Sequence, residues 1–149
     1  MKKKSLFILW ASIFLFSIHA FTQNQENTSD IQASNMVKNF YSGYLKAFNS
    51  SLDTHIMVKE LDFLKKKYCT KDLIVKIDKQ LKNDEIDYDP FIKAQDANIG
   101  DEKTLTIKKD EKKTNVFIVS YVSAYDHFKK VINTHVVKKI DGYKIDSIW

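Results

Sequence analysis

The pattern of apolar and polar positions changes along the chain, from helical spacing in the first half to strand alternation in the second. Three successive segments repeat apolar residues every three or four positions, which predicts three helices. Ser29 or Asp30 is placed to cap the first helix, and the polar residues 49–51 are expected to end it. Its predicted buried stripe consists of Ala33, Val37, Phe40, Tyr44, Ala47 and Phe48.

The next two helices follow closely. A second helical pattern passes through Leu61, Leu64 and Tyr68, with residues 55–58 read as a connection before it. Thr70 is a suitable N-cap for the third helix. In that helix lysines take the solvent side, and the predicted buried stripe is Leu73, Ile77 and Leu81.

A polar segment separates the two halves and contains the only proline, Pro90. We call residues 87–96 the acidic loop. Pro90 disfavours helix at Asp89, and an Asp side chain there readily closes a local turn. Phe91 and Ile92 are apolar in this polar setting, so we expect them to pin the loop to the core.

Strand patterns occupy the second half. Leu105 and Ile107 alternate with polar residues, and residues 116–122 are apolar on both faces, which indicates a central strand. Residues 131–140 and 143–149 are predicted strands, and the dipeptide Asp141-Gly142 between them is a strong hairpin signal.

That dipeptide, taken as a two-residue loop, sets a register for the last two strands. Val136 then pairs with Ser147, and Lys138 pairs with Ile145. The face that carries these residues is the more apolar one and should meet the helices, whereas His135 falls on the outer face.

Helices followed by antiparallel strands indicate an α+β fold. We expect three N-terminal helices packed against a curved antiparallel sheet, in a single domain over residues 31–149. Cys69 is the only cysteine, so an internal disulfide is excluded and the core alone must hold this fold.

The N-terminus has the pattern of a secretory signal peptide over residues 1–22. A basic start is followed by an apolar run over residues 5–18, and small residues then allow cleavage after Ala20 or Thr22. The run is shorter than the ~20 residues that span a bilayer. We therefore expect an exported, soluble protein of the periplasm or exterior, with a flexible spacer over residues 23–30 and no stable membrane anchor after cleavage.

Cleavage of the signal peptide would lower the net positive charge of the chain. The whole chain carries a formal charge of +5 with 24 basic residues, all lysine. Removal of Lys2, Lys3 and Lys4 leaves 21 lysines against 19 acidic residues, a charge of +2. Nucleic-acid binding is therefore not expected, because it requires a concentrated basic surface and commonly uses arginine.

The acidic loop and the C-terminal run from Asp141 to Trp149 resemble an uncharacterised family of exported bacterial proteins. The resemblance covers residues 31–149 and implies the cone-shaped fold of nuclear transport factor 2-like (cystatin-like) proteins. Many such proteins carry a lipid-anchoring cysteine after the signal peptide, and this chain has none there. The family supplies no catalytic residues to carry over.

The acidic loop is also the best candidate site. Its carboxylates are suited to a cation or to the basic surface of a partner, although a turn in which Asp side chains cap backbone amides is the structural alternative. The pattern of a calcium-binding loop is missing, and we predict neither a metal nor a cofactor. The predicted ligand- or partner-binding residues are Asp87, Tyr88, Asp89, Gln95 and Asp96.

Two functional hypotheses follow. The first is a non-catalytic binding module of the cell envelope that holds a protein or a small ligand, with a homodimer permitted by an outer sheet face that includes Val137 and Ile148. The second is a small cone-fold enzyme, with Asp96, Tyr121 and His127 as its candidate ionisable groups. No catalytic motif supports the enzyme, so the sequence favours binding.

Overall fold

Three α-helices and a short 3-10 helix (Asp101–Thr104) precede four strands in the computed structural model, which describes residues 28–48 and 53–149. The core belongs to the unit Ala33–Trp149, whereas residues 28–32 are part of a separate unit, Met1–Gln32. The predicted signal peptide, residues 23–27 of the predicted spacer, and the predicted helix end at residues 49–51 lie outside the described residues.

The first helix, α1, covers residues 28–47 of the described chain. Ser29 and Asp30 already lie inside it, so neither is its N-cap, and residues 28–30 of the predicted spacer are helical. The predicted stripe is confirmed from Ala33 to Ala47, and Phe48 is half-buried. Tyr41 and Leu45 are also fully buried, because α1 is covered on more than one side.

Side-chain caps set the starts of the other two helices. Asp53 caps α2 (Thr54–Tyr68) by accepting a hydrogen bond from the His55 amide at 2.8 Å. Residues 55–58 are therefore helical, and their assignment to a connection was wrong. Thr70 caps α3 (Lys71–Lys82) as predicted, by accepting from the Leu73 amide at 3.3 Å.

Leu73 and Ile77 are buried on α3, but Leu81 is 42% exposed. Its assignment to the buried stripe was wrong. The last turn of α3 lies at the edge of a surface groove. A residue there can have the spacing of the buried stripe and still be exposed to solvent.

The four strands form one antiparallel sheet in the order β1-β2-β3-β4. The strands are β1 (Thr106–Lys109), β2 (Val116–Val122), β3 (Lys129–Lys139) and β4 (Gly142–Ile148). The strand predicted as central, β2, lies inside the sheet as expected. The predicted α+β architecture, three helices packed on a curved antiparallel sheet, is confirmed.

The predicted hairpin register was wrong by two residues. Val136 pairs with Ile145, and Lys138 pairs with Tyr143, so the loop consists of Ile140 and Asp141. Gly142 has a φ of 121° and supplies the left-handed conformation at the end of the turn rather than within it.

From Val136 to the turn, the shift of two residues keeps each side chain on its predicted face. At Thr134 and His135 the shift is one residue, so Ile148 pairs with Thr134 instead of His135 and packs against the core; its assignment to the outer face was wrong. Thr134, Val136 and Ile145 are fully buried, whereas His135 is half-buried on the opposite face. A register irregularity between His135 and Val136 changes the pairing beyond that point.

Aromatic side chains fill the space where α1 meets its neighbours. Phe40 lies between 5.1 and 6.0 Å, centroid to centroid, from Tyr41, Tyr44, Tyr68 and Phe91. The Tyr41 hydroxyl is 2.9 Å from the hydroxyl of Thr134 on β3. Because Phe91 belongs to this cluster, the core holds the acidic loop in place.

Candidate functional site

The acidic loop and the three helices enclose a surface groove of about 360 Å³, which we call the helix–loop groove. α1 contributes Tyr44, α2 contributes Lys65, and α3 contributes two aliphatic side chains. The full lining consists of Tyr44, Lys65, Ile77, Leu81, Asp87, Tyr88, Asp89, Pro90, Phe91 and Gln95.

The loop side of the groove is shaped by a turn centred on Asp89. Its amide donates to the Ala94 carbonyl at 2.9 Å, and its carbonyl accepts from the amides of Ile92 and Lys93. Lys93 has a φ of 52°, so the chain reverses sharply there. Phe91 and Ile92 are fully buried beneath this turn, which confirms that they pin the loop to the core.

The Asp89 carboxylate joins the loop to the helix layer. One oxygen, Oδ1, accepts from the Phe91 amide at 2.8 Å, which is the local turn expected from the sequence. The other, Oδ2, accepts from the Tyr44 hydroxyl at 2.7 Å. The structural alternative foreseen for the loop, an Asp side chain that caps a backbone amide, is therefore observed at Asp89, and the same side chain lines the groove.

Burial governs the ionisation of this pair. Burial raises the pKa of the Asp89 carboxyl above its ordinary value of 3.8, while the hydrogen bonds from Tyr44 and Phe91 and the nearby Lys65 ammonium oppose the rise. Burial and the charge of Asp89 raise the pKa of Tyr44 far above 10.0. Tyr44 therefore stays protonated and acts as the hydrogen-bond donor.

The structure brings four of the five predicted site residues together. Asp87, Tyr88 and Gln95 are exposed at the helix–loop groove, and Asp89 is partly buried in it. Asp96 does not join them, because it lies beyond the turn and lines a different groove.

The helical wall of the helix–loop groove was not predicted from the sequence. Tyr44, Ile77 and Leu81 were read as core positions, and Lys65 carried no signal that separates it from other surface lysines. Lys65 also pairs with Asp62 on α2, with Nζ 2.7 Å from Oδ1. Only the meeting of the three helices with the loop gives these residues a shared surface.

The second groove, of about 520 Å³, lies between the end of the acidic loop and the β2–β3 connection. Asp101 supports it: one carboxylate oxygen accepts from the Asn98 amide at 2.9 Å and the other from the Ala124 amide at 2.7 Å. Its lining consists of Phe48, Asp96, Ala97, Asn98, Ile99, Ala124 and Tyr125.

The three residues named for the enzyme hypothesis have separate environments. Tyr121 is buried, and its hydroxyl donates to the Ile92 carbonyl at 2.7 Å. Asp96 accepts from the Ala97 amide, and His127 is exposed in the β2–β3 connection. Within the described part of the chain, no hydrogen bond or ion pair links any two of them.

Residues 28–48 and 53–149 offer neither a metal-binding cluster nor a membrane-spanning helix. This part of the chain contains no group of three or more His, Cys, Asp or Glu side chains placed to hold a metal ion. None of the helices in it is both long and apolar enough to cross a bilayer.

A solved structure matches this fold along nearly its whole length. It is a protein of unknown function from Bacteroides thetaiotaomicron VPI-5482, 30% identical to this chain, with a TM-score of 0.74. The match covers 89% of this chain and 98% of that protein. No protein-family model and no curated protein matches the chain.

Proposed function

We propose that this chain, which belongs to the same family as the Bacteroides thetaiotaomicron protein of unknown function, is a non-catalytic binding module. The proposal is based on the groove of this chain. The helix–loop groove is its ligand site. One observation carries the proposal: exposed polar side chains of the loop (Asp87, Gln95) face the same groove as aliphatic side chains of α3 (Ile77, Leu81).

The size and composition of the groove fit binding. Its volume of about 360 Å³ lies at the lower end of the range of small-molecule sites, which are mostly apolar with a few placed polar groups. It therefore accommodates either a small ligand or one side chain of a partner protein. The loop is held by Phe91 and Asp89, so the groove is formed before a ligand arrives.

The cellular setting is part of the proposal. The signal-peptide pattern of residues 1–22 supports export to the periplasm or exterior, and the order of helices and strands is compatible with a nuclear transport factor 2-like fold. The full chain should be recovered from the periplasm of a Gram-negative host with the mass expected for cleavage after Ala20 or Thr22. Recovery only from the cytoplasm, at uncleaved mass, would exclude export.

The groove assignment is tested by capture from envelope extract with matched variants. Leu81→Trp places a large ring at the groove edge, whereas Val75→Trp adds the same ring on α3 at a residue that is 56% exposed and outside the groove lining. Co-purifying proteins and small molecules are then identified by mass spectrometry. We expect a component retained by the wild type and Val75→Trp but lost from Leu81→Trp; equal retention by all three would reject the groove.

The enzyme alternative has one observation in its favour, the partly buried Asp89 carboxyl with a raised pKa beside Tyr44. Such a group is suited to proton transfer. If the protein is an enzyme, a component of the extract will be converted by the wild type and left unchanged by Asp89→Asn.

A homodimer through the outer sheet face stays a proposal, to be measured by analytical ultracentrifugation.

A further inference from the structure

We propose that the helix–loop groove selects small amphipathic cations, meaning amines or guanidinium compounds with a short apolar body. The inference depends on the proposed function, because it names the ligand class of that same site. It follows from the balance of charge and apolar surface along the groove.

The first step is the sign of the charge. The charged groups of the lining are two carboxylates, Asp87 and Asp89, and one ammonium, Lys65. The groove therefore carries one excess negative charge when both carboxylates are ionised. Asp62 lies 2.7 Å from the Lys65 ammonium, which weakens the attraction of Lys65 for an incoming anion.

The second step separates the two carboxylates. Both oxygens of Asp89 already accept hydrogen bonds, from Tyr44 and from the Phe91 amide. Asp87 is exposed, and no side chain or amide in the described chain donates to its carboxylate. Asp87 is therefore the group to which a ligand cation would bind, with Asp89 adding to the negative potential behind it.

The third step is the apolar surface. Leu81 is 42% exposed and Tyr88 is 38% exposed, and both line the groove. Covering such surface favours binding in proportion to the apolar area removed from water. The face of the Tyr88 ring also attracts cations. A ligand with only a charge, or only a hydrocarbon, would use half of the site.

Three probes of similar size test the charge: phenethylamine, 2-phenylethanol and 3-phenylpropanoate. Each is titrated into the ¹⁵N-labelled protein at low salt, and the dissociation constant is read from amide shifts at the groove. We expect the amine to bind roughly threefold more tightly than the alcohol, as for an exposed ion pair, and the carboxylate to bind most weakly. Added salt should reduce the difference.

Two variants test whether Asp87 is responsible for the preference for the amine. Asp87→Asn should abolish the advantage of the amine over the alcohol. Asp96→Asn, which changes an exposed carboxylate of the same loop that lines the other groove, should preserve it.

The outcomes separate the two proposals. Equal binding of amine and alcohol, a tighter carboxylate, or an amine preference that survives in Asp87→Asn would each reject the cation class while leaving the groove as a binding site. If none of the probes shifts the groove amides, both the cation class and the proposed ligand site fail.

Discussion

Tyr44→Phe tests the link between the acidic loop and the helix layer. Tyr44 is 2% exposed, and its hydroxyl donates to the Asp89 carboxylate at 2.7 Å. Hydrogen bonds to charged groups contribute about 1.5–3 kcal/mol, and the substitution leaves a partly buried carboxylate oxygen without this donor. We therefore expect the free energy of unfolding to fall by about 2 kcal/mol.

Tyr121→Phe is the matched control. Tyr121 is equally buried, and its hydroxyl donates over the same 2.7 Å, but to the neutral carbonyl of Ile92. A neutral hydrogen bond contributes about 1 kcal/mol. For a domain of this size, the melting temperature should fall by roughly 8 °C in Tyr44→Phe and roughly 4 °C in Tyr121→Phe.

The assay is urea unfolding at pH 7, with the slope of free energy against urea checked for constancy among variants. A double-mutant cycle with Asp89→Ala isolates the pair, and we expect a coupling energy of about 1–2 kcal/mol. If Tyr44→Phe costs no more than Tyr121→Phe, or if the two changes in the cycle are additive, the carboxylate does not hold the loop through Tyr44.

Two further predictions concern ionisable groups outside this pair. The hydrogen bond from Lys130 lowers the pKa of Asp126 from 3.8 to about 2. The stabilisation of the folded state by this carboxylate is therefore present above pH 3.8 and is lost as the pH falls toward 2. Lys130→Met should lose this dependence on acid pH, and parallel wild-type and variant curves of unfolding free energy between pH 2 and 7 would contradict the assignment. Burial raises the pKa of the Cys69 thiol from 9.0 to about 12. The thiolate fraction at pH 8 then falls on the order of a thousandfold, and alkylation by iodoacetamide should be slower by about that factor in the folded protein than in urea. Similar rates would show that the thiol is accessible.

The local features of the candidate site were largely predictable. Pro90 and the Asp side chain before it indicate a turn, and the two apolar residues after Pro90 indicate an anchor, because both signals act over a few neighbouring residues. The structure confirms them in the Asp89–Phe91 hydrogen bond and the burial of Phe91 and Ile92. Asp96 failed to join the site because the same turn directs the chain toward the second groove.

The hairpin shows the limit of local reasoning. Asp141-Gly142 identified the turn, yet the residue that needs positive φ lies at its end, so the register moved by two. The buried face was still correct between Val136 and Ile145, since a shift of two positions returns a side chain to the same side. The irregularity before Val136 reduces the shift to one and pairs Ile148 with Thr134.

The amino-acid sequence was sufficient to predict the three helices, the central strand, the buried face beside the last turn and the turn of the acidic loop. Each of these depends on periodicity or on residues that are close along the chain. The tertiary structure was needed to show that Tyr44 donates to Asp89, forty-five positions later, and that Lys65 and Leu81 share a groove with the loop. Such contacts depend on how helices and loop pack together, and the spacing of residues within one segment carries no information about that arrangement.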